Sequence, residues 1–470
     1  MENKSELHEN SWQIAKKNAL LSVAKGCCVL TQAGIFLAVW YLAYPHHAPG
    51  MWFSWRSIFL TGIYLALFSI LGHIYSGFQV GRATGGELIY SLVITQLFTV
   101  FLQYCVLCLV TYRILNPLPM VILLLVGGIC SALWVFCARH LYLALFPARK
   151  TYIVYDDMES FQEVAPIHDL KWKFEICGAL STANGLESTL REISQADAVF
   201  LCGIHSSDRN VILKYCIERG IQVYIRPKIG DLLISGASQL QLMNMPILHC
   251  GRNRSSLLYR SVKRFMDVVM AGLALIVASP VMAVVAIAIH RYDGGPAFYR
   301  QVRLTQDGKQ FEILKFRSMR VDAEKDGVAR LASEGDDRIT PVGRFIRKVR
   351  IDELPQLINI LKGDMSIVGP RPERPEIAAQ YEEEMPEFSL RLQVKAGLTG
   401  YAQVYGKYNT RPYDKLQMDL MYIANQSILI DMKIIFVTVK VLFMKESTEG
   451  VQAGQLTAAD ITEKEHDRAV

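Results

Sequence analysis

Two adjacent carboxylic acids, Asp352 and Glu353, precede a short apolar segment of the chain. The apolar residues of this segment recur at helical spacing and are Leu354, Leu357, Ile358 and Leu361. Their spacing predicts a helix with one buried face, and Pro355 is tolerated only in the first turn of such a helix. Asp352 is therefore expected at or just before the N-cap, a position that favours acidic residues for structural reasons alone.

Four cationic residues are expected to converge on this acidic pair: Arg371, Arg347, Lys315 and Arg317. Arg371 stands in a Gly-Pro-Arg-Pro stretch, whose prolines restrict the backbone and let the guanidinium fork onto phosphate oxygens. Lys315 and Arg317 alternate in a predicted strand, so they share one face. Such a site suits phosphoryl chemistry on a diphosphate. The carboxylates of Asp352 and Glu353 are hard oxygen ligands, which point to magnesium as the metal.

The composition indicates a membrane protein. Of the 470 residues, 51% are hydrophobic and only 20% are charged, and that charged share is low for a soluble protein. The net charge of +6 is modest, and the basic residues cluster beside apolar runs, which fits a membrane surface and anionic substrates rather than nucleic acid. The polar residues 1–12 lack the apolar core of a cleavable signal peptide. Six of the ten cysteines lie in apolar segments, so no disulfide framework is expected.

Four apolar stretches, near residues 20–43, 57–75, 88–112 and 118–136, are each long enough to cross a bilayer as a helix. Buried core helices are the alternative, which four such runs in series disfavour. Lysines precede the first stretch, and Arg139, Arg149 and Lys150 follow the fourth. The positive-inside rule therefore predicts that both ends of this bundle lie in the cytoplasm.

The next hundred residues alternate between short β-rich runs and helical patterns. The β-rich runs are residues 151–155, 198–202 and 221–225, and a helix is predicted from Val211 to Glu218. This alternation predicts a small parallel sheet with Rossmann-like winding. Dinucleotide binding is disfavoured, because no Gly-x-Gly-x-x-Gly follows the first run. A regulatory or dimerisation role is favoured instead, so a homodimer is one expected assembly.

A fifth apolar run, residues 268–289, is interrupted near its middle by Ser279 and Pro280. Proline kinks a helix, and positive charges flank both ends of the run, whereas a simple span should be asymmetric. We therefore predict a bent, re-entrant membrane helix, with an ordinary proline-kinked span as the alternative. Residues 339–349 and 428–444 are predicted to form amphipathic helices at the membrane surface, and an ordinary surface helix is the alternative for the first.

These observations divide the chain into four parts: a four-helix transmembrane bundle (1–148), a cytoplasmic Rossmann-like α/β domain (149–255), an α+β catalytic domain (256–446) with the re-entrant helix at about 264–291, and a polar flexible tail (447–470).

The catalytic part resembles the bacterial polyprenyl-phosphate sugar-1-phosphate transferases, the monotopic phosphoglycosyl transferase superfamily. The resemblance rests on ordered motifs within residues 263–444: Lys-Arg-Phe-Met-Asp at 263–267, Ser-Pro at 279–280, Asp-Gly-Gly-Pro at 293–296, Lys-Phe-Arg-Ser-Met at 315–319, Asp-Arg-Ile-Thr at 337–340, Val-Gly at 342–343, Asp-Glu-Leu-Pro-Gln at 352–356, Leu-Lys-Gly-Asp-Met-Ser at 361–366, Gly-Pro-Arg-Pro at 369–372 and Gly-Leu-Thr-Gly at 397–400. The preceding spans and α/β part resemble the larger members, which start capsule, exopolysaccharide or O-antigen units.

The resemblance implies transfer of a sugar 1-phosphate from a UDP-sugar to undecaprenyl phosphate in the bacterial inner membrane, with release of UMP and catalysis on the cytoplasmic face. Asp352 matches the nucleophile that forms an aspartyl-phosphosugar intermediate, and Glu353 is assigned to magnesium binding or to orienting the site. Arg371 and Arg347 are expected to hold phosphates, with Lys315 and Arg317 as weaker candidates. Glucose or galactose is the expected sugar, and an N-acetylated amino sugar is the alternative.

Two positions depart from the family pattern. Ala396 stands where proline is common, and Lys407 stands where arginine is common; both departures bear on donor recognition. A membrane scaffold or regulator that has lost activity is a competing interpretation, but neither the carboxylates nor the arginines are eroded. A transporter is a third interpretation, and the near absence of charged residues within the four spans disfavours it.

Overall fold

The computed structural model describes residues 2–44, 54–164, 167, 170–252, 255–320, 338–406 and 410–442, with only the backbone described for residues 2–14 and 163. The predicted tail (447–470), Asp337 of the Asp-Arg-Ile-Thr motif and the departure at Lys407 lie outside these residues. The chain divides into two compact units, Met1–Lys228 and Ile229–Val470.

The first unit begins with four long helices: α1 (Glu2–Ala43), α2 (Trp55–Ile74), α3 (Gly85–Thr111) and α4 (Leu118–Leu145). They contain the four predicted spans, apart from the last residue of the second span and of the third. Their outward faces are apolar, as at Leu125, Ile129 and Leu133 of α4. Together with a fifth helix in the second unit, the described residues contain five helices long and apolar enough to cross a membrane. The protein therefore has the architecture of a membrane protein.

Buried amides join the four helices at their centre. Gln32 donates to the carbonyl oxygen of Gly127 at 2.8 Å, and Gln96 donates to the hydroxyl of Tyr64 at 3.0 Å. Gln103 donates to the carbonyl oxygen of Leu60 at 3.0 Å. Polar groups remote from water need internal partners, so these bonds favour one arrangement of the helices.

A four-stranded parallel sheet follows, with helices between its strands. Its elements are β1 (Arg149–Tyr155), α5 (Met158–Glu163), β2 (Phe174–Ser181), α6 (Leu186–Ile193), β3 (Ala198–Cys202), α7 (Ser206–Glu218) and β4 (Gln222–Ile225). The strand order is β2-β1-β3-β4, and all three pairings are parallel. The parallel α/β prediction is therefore confirmed. The strand β2 was not predicted, because Cys177, Gly178 and a partly exposed face interrupt its pattern.

The second unit starts at Ile229 rather than at residue 256. Its first elements are α8 (Ile229–Ser235) and an antiparallel hairpin of β5 (Ser238–Leu242) and β6 (Met245–His249). Ile229 and Leu232 of α8 are buried in an apolar cluster with Leu416 and Leu420. Burial against residues so distant in the chain attaches this segment to the second unit, which sequence spacing alone does not reveal.

The fifth long helix, α9 (Leu257–Asp293), is continuous through Pro280. Ser256 caps its start, and Gly294 ends it with a φ of 71°. The hydroxyl of Ser279 donates to the carbonyl oxygen of Ile276 at 2.8 Å. After α9 come the paired antiparallel strands β7 (Phe298–Leu304) and β8 (Gln310–Phe316).

The remaining elements pack around these strands. They are α10 (Pro341–Lys348), α11 (Gln356–Lys362), β9 (Ser366–Val368), α12 (Pro375–Glu384), β10 (Gly397–Thr399), α13 (Tyr401–Tyr405), α14 (Pro412–Ala424) and α15 (Ile428–Leu442). In α10, Ile346 is buried against α9, whereas Phe345 and the C-cap residue Val349 are exposed, so the predicted apolar face is divided. α15 buries Ile434 and Val437 in the core of the unit.

Candidate active site

The two carboxylates lie on a 3₁₀ turn, Ile351–Glu353, between α10 and α11. Arg350 precedes the turn in the left-handed region, with a φ of 55°. The N-cap of α11 is Pro355, which makes no side-chain cap. Asp352, which was predicted at or just before the N-cap, therefore precedes the N-cap and does not cap the helix, because the chain inserts a 3₁₀ turn before the helix begins.

Glu353 is the carboxylate that forms the ion pairs. Its Oε1 lies 3.4 Å from Nζ of Lys315 and 3.3 Å from a guanidinium nitrogen of Arg371, and its Oε2 lies 3.9 Å from Arg350. Burial alone raises the pKa of Glu353, but the positive charges of Lys315, Arg371 and Arg350 outweigh burial and lower it to about 2. Glu353 is thus ionised across the physiological range. The part played by Arg350 was missed, although its i, i+3 spacing from Glu353 pointed to it.

Asp352 is only partly buried and, in the part of the chain that the structure describes, forms no ion pair within 4.0 Å. Burial and the neighbouring charge of Glu353 raise its pKa, while Lys315, Arg347 and Arg371 oppose that rise. An ionised but unpaired carboxylate at this place is a stronger nucleophile than one held in a salt bridge.

Lys315 is positioned by a side-chain clamp between β8 and α11. The backbone N–H of Leu314 donates to Oδ1 of Asn359 at 2.9 Å, and Nδ2 of Asn359 donates to the carbonyl oxygen of Glu312 at 2.8 Å. Buried Ile313 packs with Leu357 on the same helix. These contacts fix α11, and with it the 3₁₀ turn, against the strand that carries Lys315.

Arg371 follows β9, which pairs in parallel with β10. The two Gly-containing motifs approach each other closely here: a Cβ at Gly369 would collide with the carbonyl oxygen of Lys395, and a Cβ at Gly400 with that of Gly369. Glycine is required where backbones come this near. A small pocket next to β10 has Lys315 and Arg371 on its wall.

The other two predicted cations differ in their placement. The positive charge of Arg347, on α10, opposes the rise in the pKa of Asp352. Arg317 does not join the site: β8 ends at Phe316, and the buried guanidinium of Arg317 pairs with Asp293. The prediction that Arg317 shares the phosphate-binding face is therefore wrong, because a long-range ion pair redirects the side chain. This pairing assigns the Asp-Gly-Gly-Pro motif a structural role.

The first motif of the resemblance also has a structural role. Lys263 pairs with buried Asp431 at 2.8 Å. Arg264 donates to the carbonyl oxygens of Ile360 and Leu361 at the end of α11, at 2.6 and 2.8 Å. These bonds attach the start of α9 to the helix that follows the acidic pair.

The donor set fits magnesium only in part. Among the described residues, no three His, Cys, Asp or Glu side chains are close enough to hold a metal ion by themselves. Asp352 and Glu353 are the available carboxylates, and both oxygens of Glu353 already face cations. Magnesium commonly completes its shell with water and substrate phosphates, so these residues suit an ion that arrives with a diphosphate.

Ala396, where the family pattern commonly has proline, uses the N–H that proline lacks. This N–H donates to Oγ1 of Thr305 at 3.2 Å, and the same hydroxyl donates to the carbonyl oxygen of Asp364 at 2.9 Å. The departure is thus accommodated by a local hydrogen bond.

Comparison with known proteins places residues 258–445 in the family model described as bacterial sugar transferase. A protein of Aeromonas hydrophila named UDP-N-acetylgalactosamine-undecaprenyl-phosphate N-acetylgalactosaminephosphotransferase is 37% identical over 233 residues, which cover 49% of this chain and 54% of that protein. The UDP-glucose:undecaprenyl-phosphate glucose-1-phosphate transferase of Escherichia coli K12 is 41% identical over 208 residues, covering 43% and 45%.

A protein of Bacillus subtilis named putative undecaprenyl-phosphate N-acetylgalactosaminyl 1-phosphate transferase is 50% identical over 134 residues, which cover 28% of this chain and 74% of that protein. The chain spans about half the length of the first two relatives and about three quarters of the third. All these similarities concern undecaprenyl-phosphate sugar-phosphate transferases.

Proposed function

This chain belongs to the bacterial sugar transferase family, and we propose that it transfers a sugar 1-phosphate from a UDP-sugar to undecaprenyl phosphate. The observation that carries the proposal is that the two carboxylates of the acidic pair have different surroundings. Glu353 is surrounded by cations, whereas Asp352 lies beside the same cations without an ion pair. A diphosphate bound by Lys315 and Arg371 would meet the free carboxylate of Asp352.

The transfer takes place in two displacements. A carboxylate oxygen of Asp352 attacks the β-phosphorus of the UDP-sugar, and the bond from that phosphorus to the bridging oxygen breaks. UMP leaves with the electron pair, and an aspartyl-phosphosugar remains. A phosphate oxygen of the lipid then attacks the same phosphorus, the bond to Asp352 breaks, and the free carboxylate returns. Two steps let one site serve a soluble donor and a lipid acceptor in turn.

The cations stabilise the negative charge on the phosphate oxygens during the transfer. Arg371 offers a forked guanidinium, Lys315 a compact ammonium, and Arg347 a charge from α10. Glu353 holds Lys315 and Arg371 in place before substrate arrives. Magnesium, held by Asp352 or Glu353 together with substrate phosphates, would supply further neutralisation of phosphate charge.

The site is proposed to lie at the cytoplasmic face of the bacterial inner membrane, with α9 as a re-entrant helix. A straight helix of its length would measure about 55 Å, well beyond the ~30 Å hydrocarbon core. Yet both ends of α9 contact one compact unit, since Arg264 binds the end of α11 and Ile289 is buried against Phe316. Between them, Ile276 and Val277 are more than two thirds exposed and suit contact with lipid.

Two further elements suit this placement. Phe345 on α10 and Val349 at its end are exposed beside the basic residues Arg344 and Lys348, which fits a helix at the headgroup layer where the acceptor phosphate lies. The parallel sheet of the first unit is proposed to be a Rossmann-like regulatory or dimerisation domain, since no phosphate-binding glycine loop follows β1.

The sugar is proposed to be a hexose, glucose or galactose, with an N-acetylated amino sugar as the alternative, because relatives named for glucose and for N-acetylgalactosamine both match. The test is UMP release by purified protein with a panel of UDP-sugars, undecaprenyl phosphate and magnesium. We expect one donor to release UMP and Asp352→Ala to abolish that release. Wild-type protein that releases no UMP from any donor would favour an inactive scaffold, and full activity of Asp352→Ala would contradict the assigned nucleophile.

A further inference from the structure

A buried arginine holds the backbone of Arg371. A guanidinium nitrogen of Arg391 donates to the carbonyl oxygen of Arg371 at 3.0 Å. The neighbouring carbonyl oxygen, of Pro372, accepts a hydrogen bond from Arg303 at 3.2 Å. Two guanidinium groups thus bind consecutive carbonyls of the Gly-Pro-Arg-Pro stretch. The side chain of Arg371 is 45% exposed, so its direction depends on how firmly this backbone is fixed.

Arg391 is in turn fixed by a buried carboxylate. Asp419, on α14, lies with its Oδ2 2.8 Å from the same guanidinium of Arg391, and both side chains are almost fully buried. Glu373 is 3.7 Å from Arg391, and the ring of Phe388 lies 4.8 Å below the guanidinium. A buried ion pair with one member missing is strongly unfavourable, so Asp419 and Arg391 hold each other in place.

We propose that Asp419 and Arg391 are a positioning pair for the transfer reaction: Asp419 orients Arg391, and Arg391 fixes the carbonyl of Arg371 so that its guanidinium meets the donor diphosphate. Neither residue touches Asp352 or Glu353 in the described part of the chain. This inference rests on the proposed function, and it adds residues from α14 and from the 3₁₀ helix Pro386–Gln393 that no motif of the resemblance contains.

The environment of Asp419 gives the pair a pH response. Burial raises the pKa of Asp419 to about 6, with Arg391 and Lys415 opposing the rise and Glu373 adding to it. Above pH 6 the carboxylate is charged and pairs with Arg391. Below pH 6 it becomes protonated, and the support for Arg391 weakens.

A double-mutant cycle tests the pair. Asp419→Asn keeps the shape of the side chain and removes its charge. We expect it to lower kcat/KM at pH 8 by about 10- to 100-fold, the effect of a small misplacement of a binding group. In an Arg371→Ala background, measured with radiolabelled donor, Asp419→Asn should change the residual kcat/KM by less than about twofold, because its effect passes through Arg371. Arg391→Lys, run through the same cycle, should behave alike.

Equal effects in both backgrounds would overturn the proposal, since they would mean that Asp419 only stabilises the fold. The exposed Glu383→Gln is the matched control and should leave kcat/KM unchanged. A second readout is the ratio of Asp419→Asn to wild-type activity, which should rise towards one as the pH falls below 6; a ratio independent of pH would also contradict the proposal.

Calorimetric titration with UDP separates this inference from the proposed function, because it needs no turnover. The same non-additivity should appear in UDP affinity. Failure of the wild-type protein to release UMP would refute the proposed function alone, whereas additive losses of UDP affinity would refute the positioning pair alone.

Discussion

Replacing Glu353 by glutamine should destabilise the second unit by about 3 kcal/mol. The pKa of this carboxylate falls from 4.5 to about 2, and each unit corresponds to about 1.4 kcal/mol between folded and unfolded states. The side chain is 14% exposed, so solvent screens its ion pairs only slightly. Glu353→Gln leaves Lys315, Arg350 and Arg371 close together without their shared counter-charge, and their repulsion adds to the loss.

The pH dependence of this stabilisation follows from the lowered pKa of Glu353. Since the folded-state pKa lies below the unfolded value, the stabilisation is complete above pH 4.5 and is lost as the pH falls towards 2. Equilibrium denaturation in detergent at pH 7 should therefore show the full difference between wild type and Glu353→Gln. At pH 4 the difference should already be smaller.

A double-mutant cycle with Lys315→Met makes this prediction specific. The double variant should lose about 2 kcal/mol less stability than the sum of the two single losses, because removing both members of the pair avoids an unpaired buried charge. The exposed Glu383→Gln should change stability by less than about 0.5 kcal/mol. Additivity of Glu353→Gln and Lys315→Met within about 0.5 kcal/mol would refute the reasoning that Glu353 is the centre of the cation cluster.

Three further predictions follow from the placement of single residues. Arg317→Lys should lower the melting temperature by several degrees, because it disturbs a buried pair with Asp293, and should leave the KM for the UDP-sugar within about twofold. Arg371→Lys should raise that KM. A KM raised by Arg317→Lys and unchanged by Arg371→Lys would instead place Arg317 in the site. Lys315→Met should move the acid limb of the residual kcat/KM to higher pH, because the charge of Lys315 lowers the pKa of Asp352; a shift to lower pH would contradict the geometry. The orientation of α9 can be tested with single cysteines at positions 260 and 291, in an active variant without native cysteines. Both cysteines should react with a membrane-impermeant reagent added from the cytoplasmic side. Labelling of the two positions from opposite sides would mean that α9 crosses the membrane as an ordinary span.

The long apolar helices and the parallel α/β part could be predicted because their patterns are local. Hydropathy over residues 20–43 or 118–136 needs no tertiary information, and residues 198–202 form a short β-rich apolar run. The strand β2 was missed, since Cys177 and Gly178 interrupt its pattern and its pairing with β1 supplies the missing stabilisation.

The sequence predicted most of the residues of the candidate site, but less of their geometry. Lys315, Arg371 and Glu353 do come together, as their types and motifs indicated. Arg317 does not, because its partner Asp293 is fixed by the end of α9, which strand periodicity cannot reveal.

The residues that position the site could not be predicted from the sequence either, because their roles depend on contacts between distant parts of the chain. Asn359 looks like an ordinary polar residue of a helix, yet it joins α11 to β8. Arg391 and Asp419 are 28 positions apart, and only burial in the folded chain makes them a pair. Asp352 was expected at or just before a helix N-cap, and the left-handed backbone of Arg350 instead precedes a 3₁₀ turn that contains Asp352.

Mass spectrometry of the covalent intermediate tests the central claim most directly. Protein mixed with the accepted UDP-sugar and magnesium, without undecaprenyl phosphate, and quenched rapidly should carry one sugar-phosphate group on the peptide that contains Asp352. Addition of the lipid phosphate before the quench should remove this group, and Asp352→Asn should not form it. UMP release without any adduct, or an adduct on another residue that survives in Asp352→Asn, would contradict the account.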